Sequence, residues 1–433
     1  MGRSKNNGVG LRVRRMSSRL APWLAALLVG AAPALHAQTL PEVQVSTAQD
    51  FQDFEFDWGR DGVFCSTCNF GDGNARLTYV DSIGNLWLGY VDFQTGAFYP
   101  QDGHGVLLDT GAAPANDYGN GPEWMFSTGG SQIVYTKYVP NRPHSAQTAG
   151  IGVASMVNGA WSAGYIANPL NRQSPAATLD LTDADPRINY QDTSTGRLYW
   201  RAMSDPGTEH LLPIGSQTQG GSRRWVSGTH KVIYAGAAPP DSTGTSYVQM
   251  YLYDTDTGAK EQLTFDPTAK MGGFMWRAPE YNNEYVFFTV ADRTKVVVYR
   301  KLPGPDGVPR WTIVKSQDTP SQLPYVWSPE PFTHNGRSYI FFQLSSSPKF
   351  RDYSIPTQIA MTGIDPLRQD FRMLTNDSVN RRLRLDPEYF ITAQGPYIYY
   401  LRFKLETSTT PAISDGIWRV DTKLGPPQAN VVH

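Results

Sequence analysis

Hydrophobic and polar residues alternate with a period of two along most of this chain, and no segment shows a convincing apolar period of 3.6 residues. A period of two places successive side chains on opposite faces of a strand, whereas 3.6 is the period of an amphipathic helix. The alternating runs are short and are separated by turns rich in Asp, Thr and Gly, such as 92–96 and 254–258. Turns of this kind are typical of hairpins. The pattern predicts an all-β protein in which these two turns join third and fourth strands.

One unit recurs along the chain. It opens on a segment that often contains Pro-Glu, continues through a turn into a strand rich in Tyr and Phe, and ends with two further short strands. Seven units begin near residues 58, 118, 180, 222, 273, 325 and 385. Four-stranded sheets repeated around an axis leave few open edges, so such repeats predict a closed ring. We predict a β-propeller of about seven four-stranded blades, with six or eight as alternatives and five fitting the repeats less well.

The ends of the chain predict how the ring closes. The last unit lacks a fourth strand, because residues 416–421 are followed by a Pro-rich tail. An alternating run at 42–46 can supply the missing strand. In the weaker copies, residues 62–66 are predicted to form the first strand of the first unit, and 183–189 that of the third.

The first 37 residues read as a secretory signal peptide. Basic residues precede an apolar run at 20–28, and a segment of small residues ends at Ala37. The apolar run is shorter than the about 20 residues that a bilayer requires, so no membrane insertion is expected. The chain is therefore predicted to be secreted or periplasmic, with residues 38–433 forming a single propeller domain.

Charge and cysteine content narrow the possible partners. After removal of 1–37, the chain has 32 Lys and Arg against 39 Asp and Glu, a net charge of about −7, which argues against nucleic acid and anionic membranes as partners. Cys65 and Cys68 are predicted to form a small disulfide in the oxidising compartment. No metal site or cofactor is predicted, although calcium binding is possible at the turn carboxylates of Asp72, Asp92 and Asp254; capping of the turns is the alternative.

Candidate chemistry lies in the repeated carboxylates. Because the first strand of each blade lines the central channel, these groups are expected at one level around the axis, where like charges raise one another's pKa. They can act as general acid and base, bind a cation or receive a basic ligand. The alternative is a repeated structural contact with Arg187, Arg223, Arg224 or Arg277, since catalysis requires unequal copies. The carboxylates concerned are Glu123, Asp185, Glu280, Glu330 and Glu388.

Aromatic side chains stand beside these carboxylates. Trp124, Trp276 and Trp327 are each close in sequence to one of them, and Arg277 follows Trp276 directly. Aromatic faces next to carboxylates suit sugar rings, so these four residues and Glu123 are predicted to bind a ligand.

Two family resemblances appear at these residues. Trp327-Ser328-Pro329-Glu330 and Trp276-Arg277-Ala278-Pro279-Glu280 are similar to the blade openings of glycoside hydrolase family 43, a family with five blades, and Asp183-Ala184-Asp185-Pro186 resembles the segment that holds its general base. This resemblance implies Asp185 as base and Glu280, Glu330 or Glu388 as acid.

The second resemblance is carried by residues 249–264, which look like a blade of the periplasmic TolB-type propellers. Members of that class bind protein partners through the channel face. The predicted function is therefore binding or hydrolysis of a carbohydrate-like small molecule or glycan, with a non-catalytic propeller that binds a periplasmic protein as the alternative. Whether the protein is an enzyme stays open at this point.

Overall fold

The computed structural model describes residues 40–57, 75–112, 121–167, 170–213, 223–377 and 381–428. The predicted signal peptide and the predicted disulfide between Cys65 and Cys68 lie outside these ranges, so both stay predictions. Within the described ranges, the regular structure is almost entirely antiparallel strand, with two single-turn 3-10 helices at Ala146–Thr148 and Pro279–Tyr281. No helix in these ranges is long and apolar enough to cross a membrane.

The strands form seven antiparallel sheets, which confirms the predicted seven-bladed propeller. Short alternating runs separated by tight turns favour pairing with their neighbours in sequence, and each sheet is a meander of consecutive strands except in blade 7, where β1 adds the fourth strand. Blades 1 to 3 comprise β2 (Phe51–Phe56), β3 (Ala75–Asp81), β4 (Leu86–Val91), β5 (Phe98–Tyr99) and β6 (Val106–Asp109); β7 (Glu123–Ser127), β8 (Gly130–Tyr138), β9 (Ala149–Val157) and β10 (Ala160–Ala167); and β11 (Arg172–Ala177), β12 (Arg187–Asp192), β13 (Leu198–Ala202) and β14 (His210–Leu211).

Blade 1 differs from the others because β6 adds a fifth strand to its sheet by pairing with β4.

Blades 4 to 6 comprise β15 (Arg223–Trp225), β16 (Lys231–Ala237), β17 (Val248–Asp254) and β18 (Lys260–Gln262); β19 (Lys270–Ala278), β20 (Glu284–Ala291), β21 (Lys295–Pro303) and β22 (Pro309–Asp318); and β23 (Tyr325–His334), β24 (Arg337–Ser345), β25 (Thr357–Gly363) and β26 (Arg372–Met373). Blade 7 comprises β27 (Leu383–Thr392), β28 (Gly395–Lys404), β29 (Ile413–Asp421) and β1 (Val43–Gln44).

The N-terminal strand closes the ring as predicted. In blade 7, Val43 pairs with Arg419 and Gln44 with Trp418. The preceding residue, Glu42, accepts hydrogen bonds from Arg384 Nη2 at 2.6 Å and from the Tyr400 hydroxyl at 2.7 Å. Closure therefore combines main-chain pairing with a charged anchor on the inner strand of the same blade.

The core of the ring lies between the blades. The buried hydrophobic residues of the described ranges form seven clusters, and each cluster joins two adjacent blades. Phe56 of blade 1, for example, packs on Phe390 and Tyr399 of blade 7, with ring centroids 5.2 and 4.9 Å apart. Every sheet packs against a neighbouring sheet on both of its faces. Aromatic and β-branched residues therefore occur on both faces of a strand, in addition to the alternating pattern. The innermost strands of neighbouring blades also contact one another around the whole ring.

Two strand assignments made from the sequence were wrong. In blade 3 the inner strand is β11, and the segment predicted for that place supplies β12 and the loop before it. β11 escaped detection because Ser174-Pro175-Ala176-Ala177 has little β propensity. In blade 1 the inner strand is β2, which ends before the unit start predicted near residue 58; the predicted segment 62–66 lies outside the described ranges.

Candidate functional site

The inner strands share a local distortion. Five of them, β2, β11, β19, β23 and β27, show a register shift of the kind made by a β-bulge. In three of the strands, a non-glycine residue with positive φ stands directly before a proline: Ser174 at 56°, Ser328 at 42° and Asp386 at 52°. Each such conformation costs about 1–3 kcal/mol and is over-represented at functional sites. A bulge also re-aims the side chains that follow it.

The residues that follow these bulges bring carboxylates to one side of the ring. Glu330 is the first residue after the bulge of β23, and Glu388 is the first after that of β27. Blades 6, 7, 1 and 2 are consecutive around the ring, because blade 7 contacts blade 1. Their inner strands carry six carboxylates that influence one another electrostatically, and we call this set the acidic arc: Glu330, Asp386, Glu388, Asp53, Glu55 and Glu123.

The other three blades do not repeat this chemistry. In blade 3 the residue after the bulge is Ala176, and the inner strand of blade 5 carries Phe274 close to its own bulge. Blade 4 contributes two arginines instead. Arg224 lies over the Phe274 ring at 5.1 Å, and its Nη2 atom is 3.5 Å from Glu330 Oε1. The inner-strand carboxylates of the acidic arc are therefore confined to four of the seven blades. A catalytic or binding site requires such unequal copies, whereas a purely structural contact would be expected in every blade.

Arg223, next to Arg224, has a structural task. Its Nε donates a hydrogen bond to Asn189 Oδ1 at 2.7 Å, and its Nη2 donates to the main-chain oxygen of Ser174. These bonds tie the inner strand of blade 4 to blade 3. Burial, together with the charge of Arg224, lowers the Arg223 pKa to about 9.

Burial sets the protonation of Glu330. Removal from water raises its pKa to about 8, the nearby charge of Arg224 acts in the opposite direction, and the charges of Glu123 and Asp386 add to the rise. At neutral pH this carboxyl group is therefore mostly protonated and can donate a proton. The side chains of Arg224 and Glu330 remain 22% and 12% exposed, so the interior of the ring admits solvent at this level.

Glu55 and Glu388 also have raised pKa values that favour their neutral forms. Burial raises the pKa of each well above its usual value, and neighbouring carboxylates add to the rise: Glu123 and Glu330 for Glu55, and Glu330 and Glu55 for Glu388. Glu388 is only 4% exposed, and its Oε2 atom has no hydrogen-bond partner among the described residues. A buried acceptor left without a partner costs about 1–3 kcal/mol.

Asp53 lies in the most crowded part of the arc. Burial and the charge of Asp386 raise its pKa, and the two carboxyl groups share a hydrogen bond. Arg351 Nη2 lies 3.6 Å from Asp53 Oδ2 and partly offsets the negative charge. A Cβ atom on Gly121 would lie 2.1 Å from Asp53 Oδ1, so only glycine leaves room for this carboxylate.

Two predicted catalytic residues lie outside the acidic arc. Glu280 sits in the 3-10 turn after β19, where its two oxygens accept hydrogen bonds from the amide and hydroxyl of Ser338, both at 2.8 Å. Asp185 lies in the loop between β11 and β12 and accepts a hydrogen bond from the amide of Ser204 at 3.0 Å. The expected equivalence of these two residues with Glu330 and Glu388 was wrong, and their catalytic roles stay predictions.

The predicted ligand-binding residues other than Glu123 are engaged in packing. Trp124 is 1% exposed and its indole points to the main-chain oxygen of Glu55, while the Trp276 indole donates to Ser338 Oγ at 3.0 Å. Trp327 is 7% exposed and packs under the guanidinium of Arg293. Arg277 is exposed and lies 4.3 Å over the Tyr285 ring. Their binding roles stay predictions that these contacts do not support.

The turn carboxylates cap their own turns. Asp92 Oδ1 accepts hydrogen bonds from the amides of Gln94 and Thr95, and Asp254 Oδ1 does the same for Asp256 and Thr257. The two turns join third and fourth strands, as predicted. Asp72 lies outside the described ranges. Across the part of the chain that the structure describes, no group of three or more His, Cys, Asp or Glu side chains is arranged to hold a metal ion.

Sequence reasoning missed three members of the arc, Asp53, Glu55 and Asp386, together with Arg351. The first two lie on β2, whose residues Phe51-Gln52-Asp53-Phe54-Glu55-Phe56 show a clear alternation that indicates a strand. Asp386 occupies the position before proline that Ser174 and Ser328 hold in other blades. Alignment of the blades on these Ser-Pro and Asp-Pro pairs would have identified it. Nothing in the sequence around Arg351 signals its pairing.

Comparisons with known proteins report the fold alone. No protein-family model matches the chain, and no curated protein matches it. An oligogalacturonate lyase from Vibrio parahaemolyticus is 11% identical, with a TM-score of 0.48 over 89% of this chain and 97% of that chain. TolB from Acinetobacter baumannii is 14% identical, with a TM-score of 0.36 over 81% and 79%. The tricorn protease is 9% identical at a TM-score of 0.47; the match covers 88% of this chain but 36% of that protein.

TolB proteins are thus among the similar structures. The resemblance to glycoside hydrolase family 43 stays a prediction.

Proposed function

We propose that the space enclosed by the seven inner strands binds a small, hydroxyl-rich, carbohydrate-like molecule and hydrolyses it by acid–base chemistry. The observation that carries this proposal is the inequality of the blades: four neighbouring blades supply the acidic arc, and blade 4 supplies Arg224 opposite Glu330. Carboxyl groups exchange hydrogen bonds with sugar hydroxyls in either protonation state, and a guanidinium donates to ring or hydroxyl oxygens. Such a set suits a polar ligand better than an apolar one.

The proposed acid is Glu330. Hydrolysis of a glycosidic bond requires one protonated carboxyl group to donate to the leaving oxygen and one ionised carboxylate to activate water or attack the sugar. With its pKa raised to about 8, Glu330 holds its proton at neutral pH. Glu330 transfers that proton to the glycosidic oxygen as the bond between this oxygen and the anomeric carbon breaks. A water molecule forms the new bond to the anomeric carbon and gives its proton to the second carboxylate.

The proposed base is Glu123. Burial raises its pKa, but the charges of Arg224 and Arg223 oppose the rise, whereas the neighbouring charges that act most strongly on Glu388 are all carboxylates. Two guanidinium charges thus favour the ionised form of Glu123, which is the form that a general base requires, although burial and the charge of Asp386 act against them. Glu123 thus replaces Asp185 as the preferred base in this proposal.

Turnover measurements test the proposal. The chain beginning at Gln38 is assayed against aryl glycosides and oligosaccharides beside Glu330→Gln, Glu123→Gln and the exposed control Glu284→Gln. The proposal predicts turnover in the wild type and the control, with large losses in the two arc variants. Absence of binding and of turnover for every sugar, or equal turnover in all four proteins, overturns it. Recovery of one stoichiometric protein partner without sugar binding would favour the protein-interaction function instead.

Export is part of the same proposal. Cell fractionation of the full chain, with N-terminal sequencing of the product, is expected to find a mature protein in the periplasm or the medium that begins near Gln38. A cytoplasmic protein that retains residues 1–37 would contradict it.

A further inference from the structure

The acidic arc contains one carboxyl group whose environment is unlike that of a structural carboxylate. Glu388 is almost wholly buried, and its Oε2 atom has no hydrogen-bond partner among the described residues. Glu280 and Glu42, by contrast, have both oxygens bonded to side chains or main chain. A buried polar atom without a hydrogen-bond partner lowers the stability of the folded protein, so its presence requires an explanation. Binding of a ligand that supplies the missing hydrogen bond is one such explanation.

The charges of the arc are not balanced by the arginines around it. Six carboxyl groups face three guanidiniums. Arg351 pairs with Asp53, Arg224 contacts Glu330, and the hydrogen bonds of Arg223 go to Asn189 and Ser174. The largest influences on Glu388 are burial and four neighbouring carboxylates. Arg224 acts on Glu388 from a distance and shares its charge with three other carboxyl groups, and no cationic side chain of the described residues forms an ion pair with Glu388.

The missing charge is better supplied by an organic cation than by a metal ion. A calcium ion requires six to eight oxygen ligands converging at 2.3–2.6 Å. In the described part of the chain, no set of three acidic or metal-ligating side chains converges in that way. An ammonium group has three N–H donors and can be bound by only two carboxyl groups, since its third donor can go to water or to a hydroxyl group of the ligand.

We infer that the ligand of the acidic arc is an amino sugar, whose ammonium group donates to Glu388 and its neighbour Glu55 while its hydroxyl groups bind on the side of Arg224 and Glu330. The inference rests on the proposed function and specifies its substrate class. A hydroxyl-rich ligand alone leaves the charge imbalance in place, whereas an amino sugar both satisfies Glu388 Oε2 and supplies the positive charge.

Binding of this ligand is linked to protons. The arc holds protons at neutral pH because its carboxyl groups repel one another and are buried. A cation placed beside Glu55 and Glu388 favours their ionised forms, so binding releases protons to the solution. A neutral sugar produces no such release.

Calorimetric titration at pH 7 separates the alternatives. The probes are the β-1,4-linked glucosamine disaccharide, cellobiose as its neutral counterpart, and the diamine cadaverine, each measured in two buffers that differ in ionisation enthalpy. We expect the glucosamine disaccharide to bind about tenfold or more tightly than cellobiose, since a charge-assisted hydrogen bond is worth about 1.5–3 kcal/mol. Its apparent enthalpy should depend on the buffer, in the direction of proton release.

The variant Glu388→Gln should remove the preference for the amino sugar over cellobiose and the proton release that accompanies binding, while the control Glu284→Gln keeps both. If Glu388→Gln fails to fold, as judged by circular dichroism and melting, Glu55→Gln serves in its place. Equal affinity for the two disaccharides overturns this inference and leaves the proposed function standing. Cadaverine binding tighter than both sugars also overturns the amino-sugar assignment. Absence of binding for all three probes overturns both proposals.

Discussion

Two Pro-Glu segments on neighbouring blades have opposite surroundings. In blade 5, Pro279-Glu280 lies beyond the end of the inner strand, and Ser338 satisfies both oxygens of Glu280. In blade 6, Pro329-Glu330 lies inside the strand, directly after a bulge, and Glu330 has a loose 3.5 Å contact with Arg224. Glu280 links blades 5 and 6 through its hydrogen bonds with Ser338, whereas Glu330 lies on the inner strand of blade 6 with a raised pKa.

The difference arises from where the two motifs lie along their inner strands. Trp327 is the last paired residue before the bulge of β23, so Glu330 follows that bulge inside the strand. Trp276 lies after the bulge of β19 and close to the end of that strand, so Glu280 falls in the turn beyond it. Ser328 takes a left-handed conformation that absorbs the proline within the strand, while in blade 5 the bulge is placed earlier, at Gly272. Similar motifs can therefore serve a scaffold in one blade and a site in the next.

The largest expected effect concerns Glu330. If it is the acid, Glu330→Gln lowers kcat/KM on the substrate found by screening by about 100-fold or more, since general acid catalysis contributes roughly 10²–10⁴. The loss of a raised-pKa carboxyl group should leave the melting temperature equal to or above that of the wild type. A variant that keeps its turnover but unfolds more easily would place Glu330 with Glu280 among the structural carboxylates and remove the contrast between the two blades.

Glu42 is another structural carboxylate, with both oxygens accepting hydrogen bonds, and it extends the comparison between Glu280 and Glu330. Glu42 is bonded to Arg384, which is 1% exposed, and to Tyr400. Loss of the Glu42 charge leaves the buried Arg384 with Asp377 as its remaining ionic partner, at 3.2 Å, so Glu42→Gln should lower the free energy of unfolding by about 2–3 kcal/mol, somewhat less than the loss of a sole partner. Urea denaturation measures this loss, with the surface variant Glu261→Gln as the control. A change below 0.5 kcal/mol, roughly the size of a surface effect, would show that main-chain pairing of β1 alone closes the ring.

The propeller fold could be predicted from the sequence because the patterns that produce each blade are local in sequence. Alternation, aromatic strands and Asp-Thr-Gly turns recur in each blade, and the missing fourth strand of the last unit pointed to closure by the N-terminal strand. The site could be predicted only in part. Glu123, Glu330 and Glu388 were found by repetition, but Glu280 was grouped with them because spacing along the chain does not reveal where a bulge falls.

The remaining members of the site required three-dimensional information. Asp53 is about 330 residues from Asp386 in sequence, yet ring closure brings the two carboxyl groups into hydrogen-bond contact. Arg351 comes from the connection between the second and third strands of blade 6 and pairs with blade 1. Neither of these pairings produces a periodic pattern in the sequence from which it could be predicted. Asp185 was misplaced because β11, with its small residues, does not resemble a strand.

The stability of the protein should depend on pH through the acidic arc. Burial and mutual repulsion raise the pKa of Glu330 to about 8 and those of Glu55 and Glu388 well above the usual value. Because the folded-state pKa exceeds the unfolded one, their favourable contribution is complete below pH 4 to 5 and declines as pH rises through the folded-state values. The slope is at most about 1.4 kcal/mol per pH unit for each group. Urea midpoints from pH 5 to 8 should fall in the wild type and fall less in Glu330→Gln; identical slopes would contradict the assignment.

The smallest effect is expected at Glu280. Replacement by Gln keeps one acceptor for Ser338 but loses the second charge-assisted bond, so Glu280→Gln should destabilise the protein by about 1 kcal/mol. The double variant with Ser338→Ala should be less destabilised than the sum of the two single variants, because the residues act on the same contact. Urea denaturation of the four proteins measures this coupling. If Glu280 is instead the acid that its sequence motif predicts, turnover falls in Glu280→Gln without the coupling to Ser338, and the Pro-Glu segments of blades 5 and 6 would then share one chemistry in spite of their different geometry.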